Sequence, residues 1–179
     1  MTRNGLSEIH EVAQLALHPN ADARGMLIEV YRTDWIPGFT PVQWNLVHNR
    51  KNVLRGFHCH VRHTDLLSIV DGSMVLGLKD LRVGSPTYNR AERLTMTPET
   101  GLVMIPPGVG HGFYFTERAT FLNAVSHEWS KEDELGCRWD DPDLDINWGC
   151  SDPIISERDT LAGTLSELQA VVHENLAWR

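Results

Sequence analysis

The feature that most constrains the fold is a succession of short apolar or alternating runs, broken by turn-forming residues at near-constant spacing. The runs are MLIEVY (26–31), PVQWNLV (41–47), DLLSIV (65–70), SMVLGLKDL (73–81), LVMIP (102–106), GFYF (112–115) and TFLNAV (120–125). Each is too short for a core helix and several are rich in β-branched or aromatic residues, so they read as strands. Pro37-Gly38, Asp71-Gly72, Gly84-Ser85-Pro86 and Pro106-Pro107-Gly108 separate them at intervals of roughly ten residues, the rhythm of a sandwich or barrel. The expectation is a mostly β, jelly-roll domain.

Helix is expected only as short terminal segments. Leu161, Leu165, Leu168, Val172 and Leu176 recur three or four apart, which makes one apolar stripe on a C-terminal helix packed on the sheet. A chain of 179 residues suffices for one core and hardly for two. No repeat or Ser/Gly-rich linker divides it. Residues 1–179 are therefore read as a single domain, with a core over about 25–130 and loops plus a helix over 131–179.

Sixteen Lys and Arg against twenty-four Asp and Glu give a net charge of −8, which repels nucleic-acid phosphates and anionic membranes. No apolar run approaches the length of a membrane span. The opening MTRNGLSEIHEVAQLALHPN lacks a basic stretch leading into an apolar one, so a cytoplasmic location is expected. Cys59, Cys137 and Cys150 are odd in number and widely spaced, which argues against a disulfide framework.

The densest chemistry lies in Gly56-Phe57-His58-Cys59-His60-Val61-Arg62-His63-Thr64-Asp65 and in Pro106-Pro107-Gly108-Val109-Gly110-His111. Residues i and i+2 of a strand share a face, so His58 and His60 aim together, toward the barrel interior, while Phe57 and Cys59 face outward. The Pro-Pro-Gly turn delivers His111 to the start of another strand. An HxH with a carboxylate five residues on, Gly72 beyond it, and a P-x-G-x-x-H about forty residues later resembles the paired motifs of cupins, whose double-stranded β-helix brings three imidazoles together.

Longer blocks are more specific. Asp22-Ala23-Arg24-Gly25, Asn52-Val53-Leu54-Arg55-Gly56-Phe57-His58, Asp80 to Thr87, Ile105 to Phe113, Arg138-Trp139-Asp140-Asp141-Pro142, Ile146-Asn147-Trp148 and Ile155-Ser156-Glu157-Arg158-Asp159 together resemble the dTDP-4-dehydrorhamnose 3,5-epimerase family, cupin-fold sugar-nucleotide epimerases, over about residues 20–160. The resemblance implies that His58 is the base removing a proton beside a sugar ketone and Asp159 its carboxylate partner, a pairing suited to proton transfer near neutral pH. It implies that Arg24, Glu29, Gln43, Asn45, Arg55, His111, Asn123, Glu134 and Arg158 line the site of a nucleotide-diphosphate sugar. Arg158 stands where a lysine is usual, and arginine can grip phosphate with two donors. The family implies no cofactor and a homodimer in which the β segment around Met26 to Tyr31 pairs across the interface.

Three departures from that pattern stand out. Asn123 replaces the tyrosine that returns a proton to the opposite face of the sugar, which points toward epimerisation at a single carbon or reprotonation by another group. The aromatic residue that stacks on the base falls near Glu128, with Trp129 adjacent. His60 and Asp65 replace a glutamine and a lysine, and with His58 and His111 they form a three-histidine, one-carboxylate set suited to a divalent metal. Three readings follow: an epimerase or isomerase of a nucleotide-linked 4-keto-6-deoxyhexose, a metal-dependent cupin enzyme (oxygenase, lyase or isomerase), and a non-catalytic nucleotide-sugar-binding protein.

Overall fold

The computed structural model describes residues 6–176. Twelve strands carry the fold: β1 Ala13–Leu15, β2 Pro19–Asp22, β3 Gly25–Ile28, β4 Gln43–Asn49, β5 Leu54–Cys59, β6 Asp65–Asp71, β7 Met74–Asp80, β8 Ala91–Met96, β9 Leu102–Ile105, β10 Val109–Tyr114, β11 Ala119–Val125 and β12 Leu135–Gly136. One five-stranded antiparallel sheet runs β1-β9-β6-β11-β4 and a second runs β12-β5-β10-β7-β8, while β2 and β3 form a separate hairpin. Every apolar run named above contributes to a strand, and the architecture is a cupin-type jelly roll. The helices α1 Glu157–Thr160 and α2 Leu165–Asn175 lie at the C-terminal end.

Strand parity explains why some runs are continuously apolar. In β6, Leu67 and Ile69 join Leu76, Leu78, Val103, Ile105, Phe113 and Phe121 in a core drawn from both sheets. Leu66, on the opposite face, packs with Ile36, Phe39 and Leu102 under the 31–39 segment. The second sheet is likewise covered on its outer face, where Phe57, Cys59 and Val75 meet Leu165, Leu168 and Val172 of α2. Both faces are buried, so polar alternation is lost. β4 is an edge strand that keeps the alternation: Trp44 and Leu46 are exposed, while Asn49 is buried.

Two details differ from the sequence reading. The packed core reaches beyond residues 25–130, because Ile9 and Val12 insert into it and β1 pairs with β9. The apolar stripe of α2 does not include Leu161, which is 78% exposed. Thr164 ends the stripe by capping the helix: its hydroxyl accepts the Glu167 N–H at 3.3 Å, and its own N–H donates to the Glu167 carboxylate at 2.7 Å, a reciprocal cap. Leu176 still packs against the α2 cluster.

The N-terminal segment is fastened to the end of β7 by a buried ion pair. Arg82 donates from Nε to Asp80 Oδ1 and from Nη2 to Asp80 Oδ2, both at 2.8 Å, and reaches Glu11 Oε2 at 2.8 Å and the His10 carbonyl at 2.7 Å. Ser85 and Thr87 hydroxyls complete the Asp80 carboxylate at 2.6 Å each. Burial pushes the Asp80 pKa up, but the Arg82, Ser85 and Thr87 hydrogen bonds outweigh it and hold the carboxyl below its usual range. A depressed carboxyl stabilises the fold above its unfolded pKa of about 3.9, and that stabilisation is lost as pH falls through the folded value. Asp80→Ala leaves Arg82 buried without its main partner and is expected to cost about 3–5 kcal/mol. Urea unfolding at neutral pH measures the loss; a change under about 1 kcal/mol would show that the pair is not a structural fastening.

Candidate functional site

The two sheets enclose a cavity of about 680 Å³. Its position follows from the pairing of β5 with β10, which sets His111 opposite His58. Gly56 makes that approach possible: at φ +120°, a Cβ there would lie 2.8 Å from Gly112 Cα and 3.0 Å from the His111 carbonyl. As expected from strand alternation, His58 and His60 line the cavity, whereas Phe57 and Cys59 are buried on the other side of β5.

His58 is held by the C-terminal segment. Its Nε2 lies 2.8 Å from Asp159 Oδ1, and Gly56 N–H donates to Asp159 Oδ2 at 3.3 Å. Ser156 caps α1 by accepting the Asp159 N–H at 3.1 Å, which fixes where the carboxylate starts. Burial works to raise the Asp159 pKa, but the hydrogen bond and charge of His58, the Gly56 N–H and Arg158 bring it down to about 2. The Asp159 carboxylate only accepts and the Arg158 guanidinium only donates, so Nε2 stands between an acceptor and a donor. Nδ1 lies 3.5 Å from Glu134 Oε1. Arg158 spans this group, at 3.0 Å from Glu134 Oε1, 3.3 Å from Asp159 Oδ1 and 2.6 Å from His58 Nε2.

Around these residues Asn45, Arg55, Asn123 and Trp129 also face the cavity, with Val47, Phe113, Phe121 and Val125 forming apolar wall. Arg55 donates to Asn49 Oδ1 at 2.7 Å. Burial lowers its pKa, and the nearby Asp159 charge partly offsets that. Gln43 acts on its neighbours, donating to Asn45 Oδ1 at 2.9 Å and accepting the Trp129 N–H at 2.9 Å. Trp129 is 55% exposed at the rim. Arg24 and Glu29 are not brought to this cavity: Arg24, 90% exposed, pairs with Asp22 on the β2–β3 hairpin, and Glu29 lies 3.7 Å from Arg32.

The metal set inferred from sequence needs correction. His60, Asp65 and His111 do converge, but His58 is committed to Asp159, Arg158 and Glu134, and the third ring beside Asp65 is His63, whose Nε2 lies 3.6 Å from Asp65 Oδ2. His60 and His111 Nε2 approach the same oxygen at 4.0 and 3.9 Å. Strand alternation could not find His63, because it stands in the loop after β5 rather than on the strand; the signal was the H-x-x-H spacing of His60 and His63. Asp133, also missed, accepts Val61 N–H at 2.9 Å, receives the His60 Nδ1 proton on its carbonyl at 2.9 Å, and sets its Oδ2 3.1 Å from His63 Nδ1. Asn123 donates to Asp65 Oδ1 at 3.2 Å. Burial, reinforced by His60, brings the His63 pKa down to about 4 against the pull of Asp133 and Glu134. Burial likewise takes His111 well below the usual range, and it raises Asp65 to about 6.

A cupin-type jelly roll whose two sheets hold a histidine–aspartate pair and two arginines around one cavity defines the class, that of cupin-fold proteins. The family model of dTDP-4-dehydrorhamnose 3,5-epimerase matches residues 7–167, and the chain belongs to that family of carbohydrate isomerases. It is 29% identical over 172 residues to the dTDP-4-dehydrorhamnose 3,5-epimerase of Sinorhizobium fredii, covering 89% of this chain and 88% of the relative. Its fold superposes with a TM-score of 0.85 on the Legionella pneumophila dTDP-6-deoxy-D-glucose-3,5-epimerase in complex with dTDP-4-keto-L-rhamnose, at 25% identity and covering 97% and 96% of the two chains. A 3'-monoepimerase from Streptomyces bikiniensis, in complex with dTDP-quinovose, matches with a TM-score of 0.83 at 27% identity over 92% and 89% of the chains.

Asp159, with its pKa lowered to about 2, contributes about 2 kcal/mol above the unfolded carboxyl pKa, lost as pH falls through 2. Asp159→Asn is therefore expected to flatten the fall in stability between roughly pH 4 and pH 2, read from urea unfolding across that range. An unchanged pH slope would mean that Asp159 is not held ionised by His58.

Proposed function

We propose that the chain epimerises a nucleotide-linked 4-keto-6-deoxyhexose, with His58 removing the proton on a carbon beside the ketone. The observation that carries this reading is the His58–Asp159 contact at 2.8 Å inside a cavity flanked by Arg55 and Arg158. Asp159 orients the ring and stabilises the imidazolium formed when His58 accepts the proton. The ketone oxygen takes the developing enolate charge, and the proton is returned to the carbon from the opposite side to invert it. Arg158 is 51% exposed, and a diphosphate at the rim offers its guanidinium two oxygens in a fork. Trp129 supplies an exposed ring for the base to stack on.

Asn123 stands on the wall where a second proton donor would act, and its amide is already spent on Asp65. Reprotonation therefore falls to water entering from the mouth, and we propose inversion at one carbon. The test is incubation of dTDP-4-dehydro-6-deoxyglucose in D₂O with NMR detection of deuterium at the carbons flanking the ketone. His58→Asn is expected to slow exchange about 10²–10⁴-fold while dTDP binding persists. Exchange at the wild-type rate would remove His58 from the mechanism, and wild-type protein that binds dTDP-sugars without exchanging any hydrogen would favour a binding protein.

The same reading includes a homodimer. The β2–β3 hairpin exposes Met26 and Leu27 at 65% and 62%, and β4 offers an unpaired edge with Trp44 and Leu46 outward. Bare apolar edges of this kind invite pairing. A partner covering them would also give Arg24 and Glu29 a site to complete. Sedimentation is expected to show about twice the 20.3 kDa chain mass, and a concentration-independent 20 kDa species would refute the dimer. Among the described residues no helix is long and apolar enough to cross a membrane. Cys59, Cys137 and Cys150 are free thiols, which suits a reducing compartment, and we place the protein in the cytoplasm.

A further inference from the structure

Beside His58 the cavity holds a second polar cluster that the proposed proton transfer does not use. His60, His63, Asp65 and His111 are 6%, 3%, 2% and 3% exposed. Imidazoles buried this deeply normally satisfy both ring nitrogens. Here only one nitrogen of each ring is accounted for.

The pattern of protons is decisive. His60 Nδ1 faces the Asp133 carbonyl at 2.9 Å and His111 Nδ1 faces the Val109 carbonyl at 3.3 Å. A carbonyl only accepts, so both rings carry their proton on Nδ1 and present a lone pair at Nε2. His63 Nδ1 lies 3.1 Å from the Asp133 carboxylate, nearer than its Nε2 lies to Asp65, which favours the same proton placement. The three Nε2 lone pairs then surround Asp65 Oδ2 at 3.6, 3.9 and 4.0 Å, too far for hydrogen bonds. Four electron-rich atoms facing one another repel, and a cation between them turns each repulsion into an attraction.

We propose that His60, His63, Asp65 and His111 bind one first-row divalent transition-metal ion through their Nε2 atoms and Asp65 Oδ2. Donor atoms of His60, His63 and Asp65 lie within 4.8 Å of one another, and His111 adds the fourth from the facing strand. Metal–ligand bonds of about 2.0–2.1 Å put tetrahedral neighbours about 3.3 Å apart, so the rings must draw in toward Asp65 Oδ2 from 3.6–4.0 Å to close on an ion. Imidazole-rich donors select zinc, copper, iron or nickel over the hard cations calcium and magnesium. The outer contacts are those that metal-bound histidines require: the remote N–H of His60 and of His111 meets a carbonyl, and His63 Nδ1 lies beside the Asp133 carboxylate. Asp133 orients two rings, and Asn123 holds the carboxylate through Oδ1 at 3.2 Å.

The site leaves His58 out, so it does not depend on the reaction proposed above. An ion held there opens onto the same cavity, where it can polarise an oxygen of a bound ligand.

Untagged full-length protein tests the proposal. After chelator treatment and dialysis, Co²⁺ is titrated and followed by visible absorption and calorimetry, with Zn²⁺ competition. The expected result is one ion per chain, with a ligand-field spectrum that Zn²⁺ abolishes. His63→Ala and His111→Ala are expected to weaken binding by at least 100-fold, and Asp133→Asn by 10–100-fold through loss of ring orientation. His58→Asn is expected to retain one ion and the same spectrum. Circular dichroism checks that each variant is folded, and His63→Gln replaces His63→Ala if the latter is not. Absence of saturable Co²⁺ and Zn²⁺ binding in the wild type would overturn the site. So would a folded His63 variant with the wild-type spectrum, or loss of the ion in His58→Asn.

Discussion

The pairing of β5 with β10 is the constraint on which the site depends. It brings positions 58 and 111, distant in sequence, face to face, and it does so only because glycine occupies both sides of the closest approach, Gly56 against Gly112 at a separation that leaves no room for a Cβ. The same pairing sends Phe57 and Cys59 outward to the α2 cluster. Burial of that outer face in turn forces the intervening polar residues inward. The cavity's chemistry is thus a consequence of how one strand divides its faces between two environments.

Charge then decides how the inward residues behave. Asp159 is surrounded by donors, from the Gly56 N–H, His58 and Arg158, and remains ionised to about pH 2. Asp65 has one amide donor and three ring nitrogens beyond hydrogen-bond reach, and burial raises it to about 6. Two aspartates in one cavity are pushed in opposite directions by their neighbours, which is the arrangement by which sites separate the roles of like groups.

Most of the architecture was legible because the signals were local. Seven apolar runs and their Pro and Gly punctuation located strands of both sheets, and i, i+2 parity placed His58 and His60 on the cavity side. What escaped was set by contacts remote in sequence or off the strands. β1 has no strong pattern of its own and exists because β9 offers an edge. Leu161 fits the helical spacing, yet Thr164 and Glu167 start the helix after it. His63 and Asp133 lie in a loop and a single 3-10 turn, where no periodicity predicts direction. The resemblance supplied Asp159, which sequence pattern alone could not have tied to a histidine 101 positions away.

His58 and His60 sit two residues apart and face the same cavity, yet they are held by different partners. Nε2 of His58 lies between the Asp159 carboxylate and the Arg158 guanidinium, whereas Nδ1 of His60 faces the Asp133 carbonyl, which leaves its Nε2 with the lone pair. That lone pair points at a buried carboxylate beside two further ring nitrogens, a grouping whose repulsion a metal ion offsets. The sequence assigned one histidine to both a base and a metal ligand, which are incompatible duties. The structure separates them by giving each ring a different acceptor, Asp159 from α1 for one and the Asp133 carbonyl for the other, and by adding His63 where His58 cannot serve.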